Sequence, residues 1–128
     1  MVVDCSALID ALSGLDGTDE LRELLMAAEL HAPTLLDVEV VSTLRRFTLA
    51  GQLSVGRAQD LLTDYEDLPL RRWAFDDGFR RRAFSLRHAI SAYDAAYVAL
   101  AEALDCPLVT RDTRLAHSDG HNADIILR

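Results

Sequence analysis

The sequence contains no lysine, and all thirteen of its basic residues are arginine. This absence excludes a P-loop nucleotide-binding site, whose lysine contacts the phosphates of the nucleotide. It also argues against receiver domains and haloacid-dehalogenase-like phosphatases, which place acidic residues at strand ends but depend on a lysine. Any phosphate chemistry in this chain must therefore rely on arginine or on a metal ion.

Cysteine and long apolar segments are also scarce. The two cysteines, Cys5 and Cys106, lack the spacing of metal ligands and predict neither a zinc site nor a disulfide framework. No apolar run reaches the length of a transmembrane helix, and no basic segment followed by an apolar one precedes Asp4, as it would in a secretory signal. We therefore expect a cytoplasmic protein that does not enter a membrane.

The chain is acidic, with 21 acidic and 13 basic residues and a formal net charge of −8. Such a chain is a poor non-specific binder of nucleic acid, because contacts to phosphates need local positive charge. The charge does not exclude an enzyme that acts on nucleic acid. It requires that the site of such an enzyme recruit metal ions or use clustered arginines.

The order of the predicted elements indicates an α/β protein. Strands are predicted at 2–4, 31–33, 69–73, 107–110 and 124–127, and helices at 6–12, 18–30, 34–50, 54–65, 76–87 and 90–104. Because strands alternate with helices, the pattern favours a parallel sheet with helices on both faces. We expect one domain, 1–128, built as a three-layer α/β/α sandwich around a central, mostly parallel sheet of four to five strands.

Two of the predicted helices are long and carry specific expectations. The helix 34–50 opens with Thr34-x-x-Asp37, which resembles a capping box with Asp in the Glu position. The helix 90–104 is apolar nearly all round, Tyr93 included, and is predicted to be buried. The apolar stripe of the first helix is also predicted to be buried and consists of Leu36, Val40, Val41, Leu44 and Phe47.

Four acidic residues lie at predicted strand ends or in the first turns of helices. Asp4 and Asp112 follow two different strands. Glu39 and Asp94 lie in the early turns of the two long helices. Taken singly, each has an ordinary explanation, since Asp4 and Asp112 can cap helices. Asp94 can complete a capping box with Ser91, and Glu39 can be a solvated acid near a helix N-terminus.

The sandwich architecture brings these four acids to the same edge of the sheet. The carboxyl ends of parallel strands and the amino ends of the helices that follow them lie on one edge, where ligands bind in open parallel sheets. Two carboxylates about 4 Å apart repel by about 4 kcal/mol at an effective dielectric of 20, so the cluster needs a cation or raised pKa values. Oxygen ligands without His or Cys select a hard ion, Mg²⁺ or Mn²⁺. The pattern therefore indicates metal-dependent phosphoryl transfer with water as the nucleophile.

Four stretches that together span nearly the whole sequence carry a family resemblance. They are Val2-Val-Asp-Cys-Ser-Ala-Leu-Ile9, Pro33-Thr-Leu-Leu-Asp-Val-Glu39, Tyr93-Asp-Ala-Ala-Tyr-Val-Ala-Leu-Ala-Glu102 and Leu108-Val-Thr-Arg-Asp-Thr-Arg-Leu115. In this order they resemble the PIN-domain family, and more specifically the VapC-type toxins of bacterial toxin–antitoxin pairs. The last two stretches are the most specific.

The resemblance implies a Mg²⁺-dependent endoribonuclease, with Mn²⁺ as a possible ion, that cleaves structured or single-stranded RNA. It also implies a homodimer and a VapB-like antitoxin that blocks the acidic cleft with a peptide segment. By the same resemblance, three aspartates would hold the metal and Glu39 would orient or partly deprotonate the attacking water. The family's metal-site acids correspond to Asp4, Glu39, Asp94 and Asp112, and site-lining hydroxyls correspond to Ser6 and Thr110.

Three questions stay open at this stage. Some PIN nucleases carry a further acid beyond the fourth, but Leu115, Ala116 and His117 stand there, which leaves the number of metal ions open. Arg111 and the arginines of the segment 80–87 are either phosphate contacts or ordinary surface charge. The alternative to an enzyme is a catalytically inactive PIN-like module that binds proteins. A DNA-cleaving or flap-type nuclease is disfavoured because the chain is short for such additions.

Overall fold

The computed structural model describes all residues, 1–128, and contains five strands and seven helices. The strands are β1 (Val2–Val3), β2 (Leu30–Pro33), β3 (Leu70–Trp73), β4 (Leu108–Thr110) and β5 (Ile125–Leu127). The helices are α1 (Cys5–Ser13), α2 (Asp19–Met26), α3 (Leu35–Leu49), α4 (Val55–Glu66), α5 (Asp77–Ser85), α6 (Ala92–Leu104) and α7 (Thr113–Ala116).

All five strands form one parallel sheet in the order β3-β2-β1-β4-β5. The central strand β1 pairs on both sides, with Val2 in register with His31 of β2 and Leu108 of β4. The prediction of a mostly parallel sheet of four to five strands is confirmed. Because the strands are parallel, their carboxyl ends share one edge, and the chain leaves β1 at Asp4 and β4 at Arg111 along that edge.

Helices cover the sheet in two separate groups. Helix α1 contacts α2, α3 and α4, whereas α6 contacts α5, and both α1 and α6 also pack on the sheet. These groups make the outer layers of the predicted α/β/α sandwich. None of the helices is both long enough and apolar enough to cross a membrane.

The core lies where the central strands meet α1 and α6. Val2, Val3, Leu108 and Val109 are fully buried, as expected for parallel strands covered on both faces. Helix α6 is buried continuously from Ala95 to Ala101. Burying a Val or Leu side chain contributes roughly 1.5–3 kcal/mol, so these central elements form the most stable part of the fold.

The predicted capping box at the start of α3 is wrong. The backbone of Thr34 is already helical, and its side chain makes no capping hydrogen bond. The Asp37 carboxylate instead accepts hydrogen bonds from the Tyr65 hydroxyl at 2.5 Å and from Arg72 Nε at 2.9 Å. The carboxylate that the local pattern assigned to the cap is therefore hydrogen-bonded to residues of α4 and β3.

Two apolar side chains predicted to be buried are exposed. Val41 is 55% exposed because the inner face of α3 is occupied by residues four apart, Leu36, Val40 and Leu44. Tyr93 is 64% exposed because the burial of α6 begins only after its first turn. The helix predicted at 18–30 ends at Met26, since Leu30 already belongs to β2. Cys5 and Cys106 are free thiols, as predicted.

Candidate active site

Asp4 occupies the junction between β1 and α1, where the sequence placed it. Its side chain is buried, and Oδ1 accepts hydrogen bonds from the Ala7 amide at 2.9 Å and the Ser6 hydroxyl at 2.7 Å. The other oxygen, Oδ2, accepts a short hydrogen bond from the Thr110 hydroxyl. Asp4 is therefore both the N-cap of α1 and a buried carboxylate with a hydrogen-bond donor on each oxygen.

Ser6 and Thr110 connect the Asp4 carboxylate to the loop that follows β4. The Ser6 hydroxyl accepts a hydrogen bond from the Arg111 amide at 3.0 Å. The Thr110 hydroxyl accepts one from the Asp112 amide at 3.0 Å. The two residues predicted to line the site thus hold the loop that carries Asp112 against the end of β1.

Glu39 lies on α3, and its carboxylate is bound by a residue that the sequence analysis missed. The hydroxyl of Tyr97, which is 2% exposed, donates a short hydrogen bond to Glu39 Oε1. Tyr97 stands three residues after Asp94 on α6, so the two side chains share one face of that helix. This spacing was the available signal, because a tyrosine one turn from a functional acid can reach a second acid nearby.

Asp94 and Asp112 complete the set at two helix starts. The amide of Asp94 donates to the hydroxyl of Ser91, the N-cap of α6, at 3.2 Å. Asp112 is the N-cap of α7, and its Oδ1 accepts a hydrogen bond from the Arg114 amide at 2.8 Å. Asp112 therefore fulfils the capping role that was the alternative to a functional one, whereas α6 is capped by Ser91 and not by the Asp94 carboxylate.

The charges of the four acids influence one another. Burial raises the pKa of Asp4, and the charge of Asp112 raises it further, against the hydrogen bonds that lower it. Burial and then the charges of Asp112 and Asp4 raise the pKa of Asp94. The pKa of Glu39 is raised by burial and by the charges of Asp4 and Asp94, although its bond to Tyr97 lowers it. The structure thus brings all four acids into one electrostatic group.

Asp112 is the exception among the four acids. Burial alone raises its pKa, but hydrogen bonds from the backbone and side chain of Arg114 outweigh that effect and hold the pKa below its ordinary value. The guanidinium Nη2 lies 3.5 Å from Asp112 Oδ2. One basic side chain therefore compensates part of the negative charge at this edge.

The chemistry of the donor set fits a hard divalent ion, because it consists of carboxylate oxygens with uncompensated charge. Burial, and after it the charges of neighbouring acids, raise the pKa values of Asp4, Glu39 and Asp94. No group of three or more His, Cys, Asp or Glu side chains is positioned to hold a metal ion without movement. The acids therefore share one edge of the sheet, and their charges influence one another.

Most of the arginines considered for phosphate contacts have other partners. Arg82 makes two hydrogen bonds of 2.9 Å to Glu102 and so joins α5 to α6. Arg111 Nε lies 2.7 Å from an oxygen of Asp10 on α1. Two further arginines of the segment make local contacts, Arg80 with Asp77 and Arg87 with the ring of Phe84.

Comparison with known proteins assigns the family. A family model described as the PIN domain matches residues 1–120. The chain belongs to the PIN-domain family. Its resemblance to that family in four short stretches thus extends over most of the chain.

Two relatives within the PIN family match nearly the full length. The chain is 37% identical over 127 residues to Ribonuclease VapC12 of Mycobacterium tuberculosis, covering 99% of this chain and 98% of that relative. It is 41% identical over 127 residues to Ribonuclease VapC1 of Mycobacterium tuberculosis, covering 98% of this chain and 96% of that relative.

The PIN fold is also shared with solved structures. One is described as VapBC2 from Rickettsia felis bound to a DNA fragment from their promoter. It matches with a TM-score of 0.71 and 15% identity, covering 98% of this chain and 96% of that chain. At this identity the likeness concerns the fold, which agrees with the predicted α/β/α sandwich.

Proposed function

We propose that this PIN-domain protein is a VapC-type toxin, a metal-dependent endoribonuclease that hydrolyses RNA phosphodiester bonds. The observation that carries the proposal is the shared electrostatic group of Asp4, Glu39, Asp94 and Asp112, in which burial and then neighbouring acidic charges raise the pKa values of the first three. The 37% and 41% identity to two ribonucleases of the VapC type, each over 127 residues, supports the choice of RNA as substrate.

Asp4, Asp94 and Asp112 would hold the metal ion, directly or through water. We propose Mg²⁺, with Mn²⁺ as a possible substitute, because both accept carboxylate oxygens. When bound, the ion stabilises negative charge on the phosphate oxygens as a Lewis acid. Ser6 and Thr110 keep the Asp4 carboxylate oriented through their hydroxyls.

Glu39 would orient the attacking water and accept its proton. The Tyr97 hydroxyl binds Oε1 and leaves Oε2 for the water. A carboxyl whose pKa is raised by burial is a better proton acceptor than an exposed one, since its basicity is closer to the working pH. As the water oxygen bonds to phosphorus, the bond from phosphorus to the leaving oxygen breaks.

The assembly and location are proposed with the activity. We propose a homodimer in which residues 1–128 of each chain form a single domain. Its activity would be inhibited by a VapB-like antitoxin, as solved relatives of this fold include toxin–antitoxin complexes. A cytoplasmic location fits an enzyme whose substrate is cellular RNA.

Purified protein provides the direct test of the activity. We expect cleavage of an RNA strand in Mg²⁺, no cleavage of the matched DNA strand, and no cleavage after chelation of the metal. Asp4→Asn and Asp94→Asn should each abolish cleavage. Asp60→Asn, which removes an exposed acid on α4, should leave it unchanged. RNA cleavage that persists in both site variants would refute the proposed site.

The alternative is a catalytically inactive PIN-like module that binds proteins. In that case the wild-type protein would neither cleave RNA nor bind Mg²⁺. Induced expression separates the candidates in cells. The toxin should arrest growth and Asp94→Asn should relieve the arrest, whereas unaffected growth with the wild type would contradict the toxin assignment.

A further inference from the structure

Arg114 presents an exposed guanidinium to the acidic site. Its side chain is 91% exposed, and Nη2 lies 3.5 Å from Asp112 Oδ2. A single basic side chain therefore faces Asp112 from the solvent side.

The contact between Arg114 and Asp112 is looser than two other arginine–carboxylate pairs of the protein. Arg111 lies 2.7 Å from Asp10 and is only 32% exposed. Arg82 makes two hydrogen bonds to Glu102, whereas Arg114 makes a single contact at 3.5 Å. The Arg114 guanidinium can therefore leave Asp112 without disturbing the packing of any element.

Stability does not explain this arginine. An exposed ion pair contributes little to the stability of a fold. The hydrogen bond that caps α7 uses the backbone amide of Arg114, and any residue other than proline at this position would supply it. The guanidinium is thus free to serve another ligand near Asp112.

We propose that Arg114 is a phosphate-binding residue of the site: it contacts Asp112 in the metal-free protein and a phosphate oxygen of the RNA when a divalent ion neutralises that carboxylate. The inference rests on the proposed function and adds a substrate contact to it. Arginine suits this role because its planar fork of N–H donors matches phosphate oxygens. In a chain of net charge −8, it also supplies the local cation that a polyanion requires.

Arg114 should have opposite effects on the two ligands of the site. Its positive charge repels the metal ion that approaches Asp112 and Asp94, and it attracts the phosphate. Arg114→Gln should therefore tighten the binding of Mn²⁺ and weaken the binding of RNA. A residue that only maintained the local structure would weaken both or neither.

The test measures both affinities in the full-length protein. Mn²⁺ binding is titrated without RNA, and RNA binding is followed by the anisotropy of a short, labelled single-stranded RNA in Ca²⁺ over a range of salt concentrations. A gel verifies that this probe stays intact. Arg114→Gln is compared with Arg114→Lys and with Arg57→Gln, which removes the same charge from the exposed face of α4.

We expect Arg114→Gln to weaken RNA binding about tenfold or more at low salt, as for the loss of a charge-assisted hydrogen bond. The slope of log affinity against log salt should fall by about 0.7, the value for one phosphate contact on a single strand. Arg114→Lys should retain most of the slope but bind less tightly than wild type. Arg57→Gln should match the wild type.

Two results would overturn the role of Arg114 alone. One is RNA binding by Arg114→Gln equal to that of Arg57→Gln, and the other is a parallel loss of Mn²⁺ affinity and thermal stability. If the wild type still cleaves RNA in either case, the proposed function stands without this contact. A wild type that neither binds nor cleaves RNA would overturn the proposed function and the inference together.

Discussion

Tyr97 is the residue on which the proposed role of Glu39 depends most directly. Its hydroxyl is the donor to Glu39 Oε1, and its ring is buried too deeply to touch RNA. Any effect of removing the hydroxyl on catalysis must therefore pass through Glu39.

We predict that Tyr97→Phe lowers kcat about tenfold, the loss expected for a hydrogen bond to a charged group, with little change in KM. Steady-state kinetics on an RNA substrate measure this. Tyr65→Phe is the matched control, because Tyr65 is also buried and its hydroxyl binds Asp37 away from the site. It should lose stability but retain kcat. An unchanged kcat in Tyr97→Phe would remove Tyr97 from the mechanism.

We expect the negative charge of Asp94 to destabilise the fold of the metal-free protein. Its pKa is raised in the fold, so its charged form destabilises the fold once the pH rises above that pKa. We predict that Asp94→Asn raises the Tm of the metal-free protein by a few degrees at neutral pH. Thermal melts should show this difference shrinking as the pH falls and Asp94 becomes protonated.

The same melts with added Mg²⁺ provide the control for Asp94→Asn. The metal should raise the Tm of the wild type, since it binds only the folded state, and should raise that of the variant much less. A variant that is less stable than the wild type at neutral pH without metal would contradict the electrostatic account of the site.

At the level of single residues, the sequence offered capping and metal binding as alternative roles for the acids. The capping role is confirmed for Asp4 and Asp112, and it does not exclude metal binding. Asp4 and Asp112 are N-caps, yet both also belong to the acidic group. A carboxylate has about four acceptor positions, so the hydrogen bonds that cap a helix leave room for a further partner. Tyr97 was missed because its spacing from Asp94 gains meaning only once the approach of α3 to α6 is known.

At the level of elements, a salt bridge holds α5 against α6. Arg82 makes two hydrogen bonds to Glu102, which also accepts one at 3.1 Å from the amide of Asn122 in the loop before β5. The bond to Arg82 is the largest cause of the lowered pKa of Glu102, outweighing burial. This contribution to stability is present at neutral pH and is lost as the pH falls through the folded pKa.

We predict that Glu102→Gln destabilises the protein by about 1–2 kcal/mol, within the range for charge-assisted hydrogen bonds that are partly buried. Denaturant unfolding measures this value. Cleavage of RNA per folded molecule should not change, because the pair lies outside the acidic group. Glu23→Gln, an exposed acid on α2, should have almost no effect. Equal stabilities of the two variants would show that the salt bridge is unimportant.

Element boundaries were predictable wherever a local signal was decisive. Ser54, Asp76 and Ser91 cap α4, α5 and α6 close to the predicted starts. The failures occur where tertiary contacts compete with local ones, as at Asp37, whose carboxylate is bound by Tyr65 and Arg72. Secondary-structure propensity is a local property and does not account for a hydrogen-bond partner that is distant in sequence.

At the level of the whole molecule, activity should depend on pH through the shared charge of the site. Metal binding requires deprotonated carboxylates, and Asp4, Glu39 and Asp94 have raised pKa values. We predict that kcat/KM falls with decreasing pH at values above the ordinary carboxyl range, with a slope greater than one. Higher Mg²⁺ should move this limb to lower pH, and a limb insensitive to Mg²⁺ would contradict the account.

The parallel sheet and the shared edge could be predicted because both follow from the alternation of elements. The exact approach of the acids could not, since it depends on side-chain rotamers in α3 and α6. In the structure the charges of the four acids influence one another, but no three of these side chains form a group that could hold a metal ion. The central claim is therefore that these carboxylates bind one divalent ion.

A crystal structure of the protein soaked in Mn²⁺, with the ion located by anomalous scattering, tests this claim most directly. The account predicts an anomalous peak at the sheet edge, with oxygens of at least two of Asp4, Asp94 and Asp112 at coordination distance, about 2.1 Å for a Mg²⁺-type site. It also predicts that the Arg114 guanidinium has moved away from Asp112. No peak at this edge at saturating Mn²⁺, or a peak bound only by acids elsewhere on the surface, would contradict it.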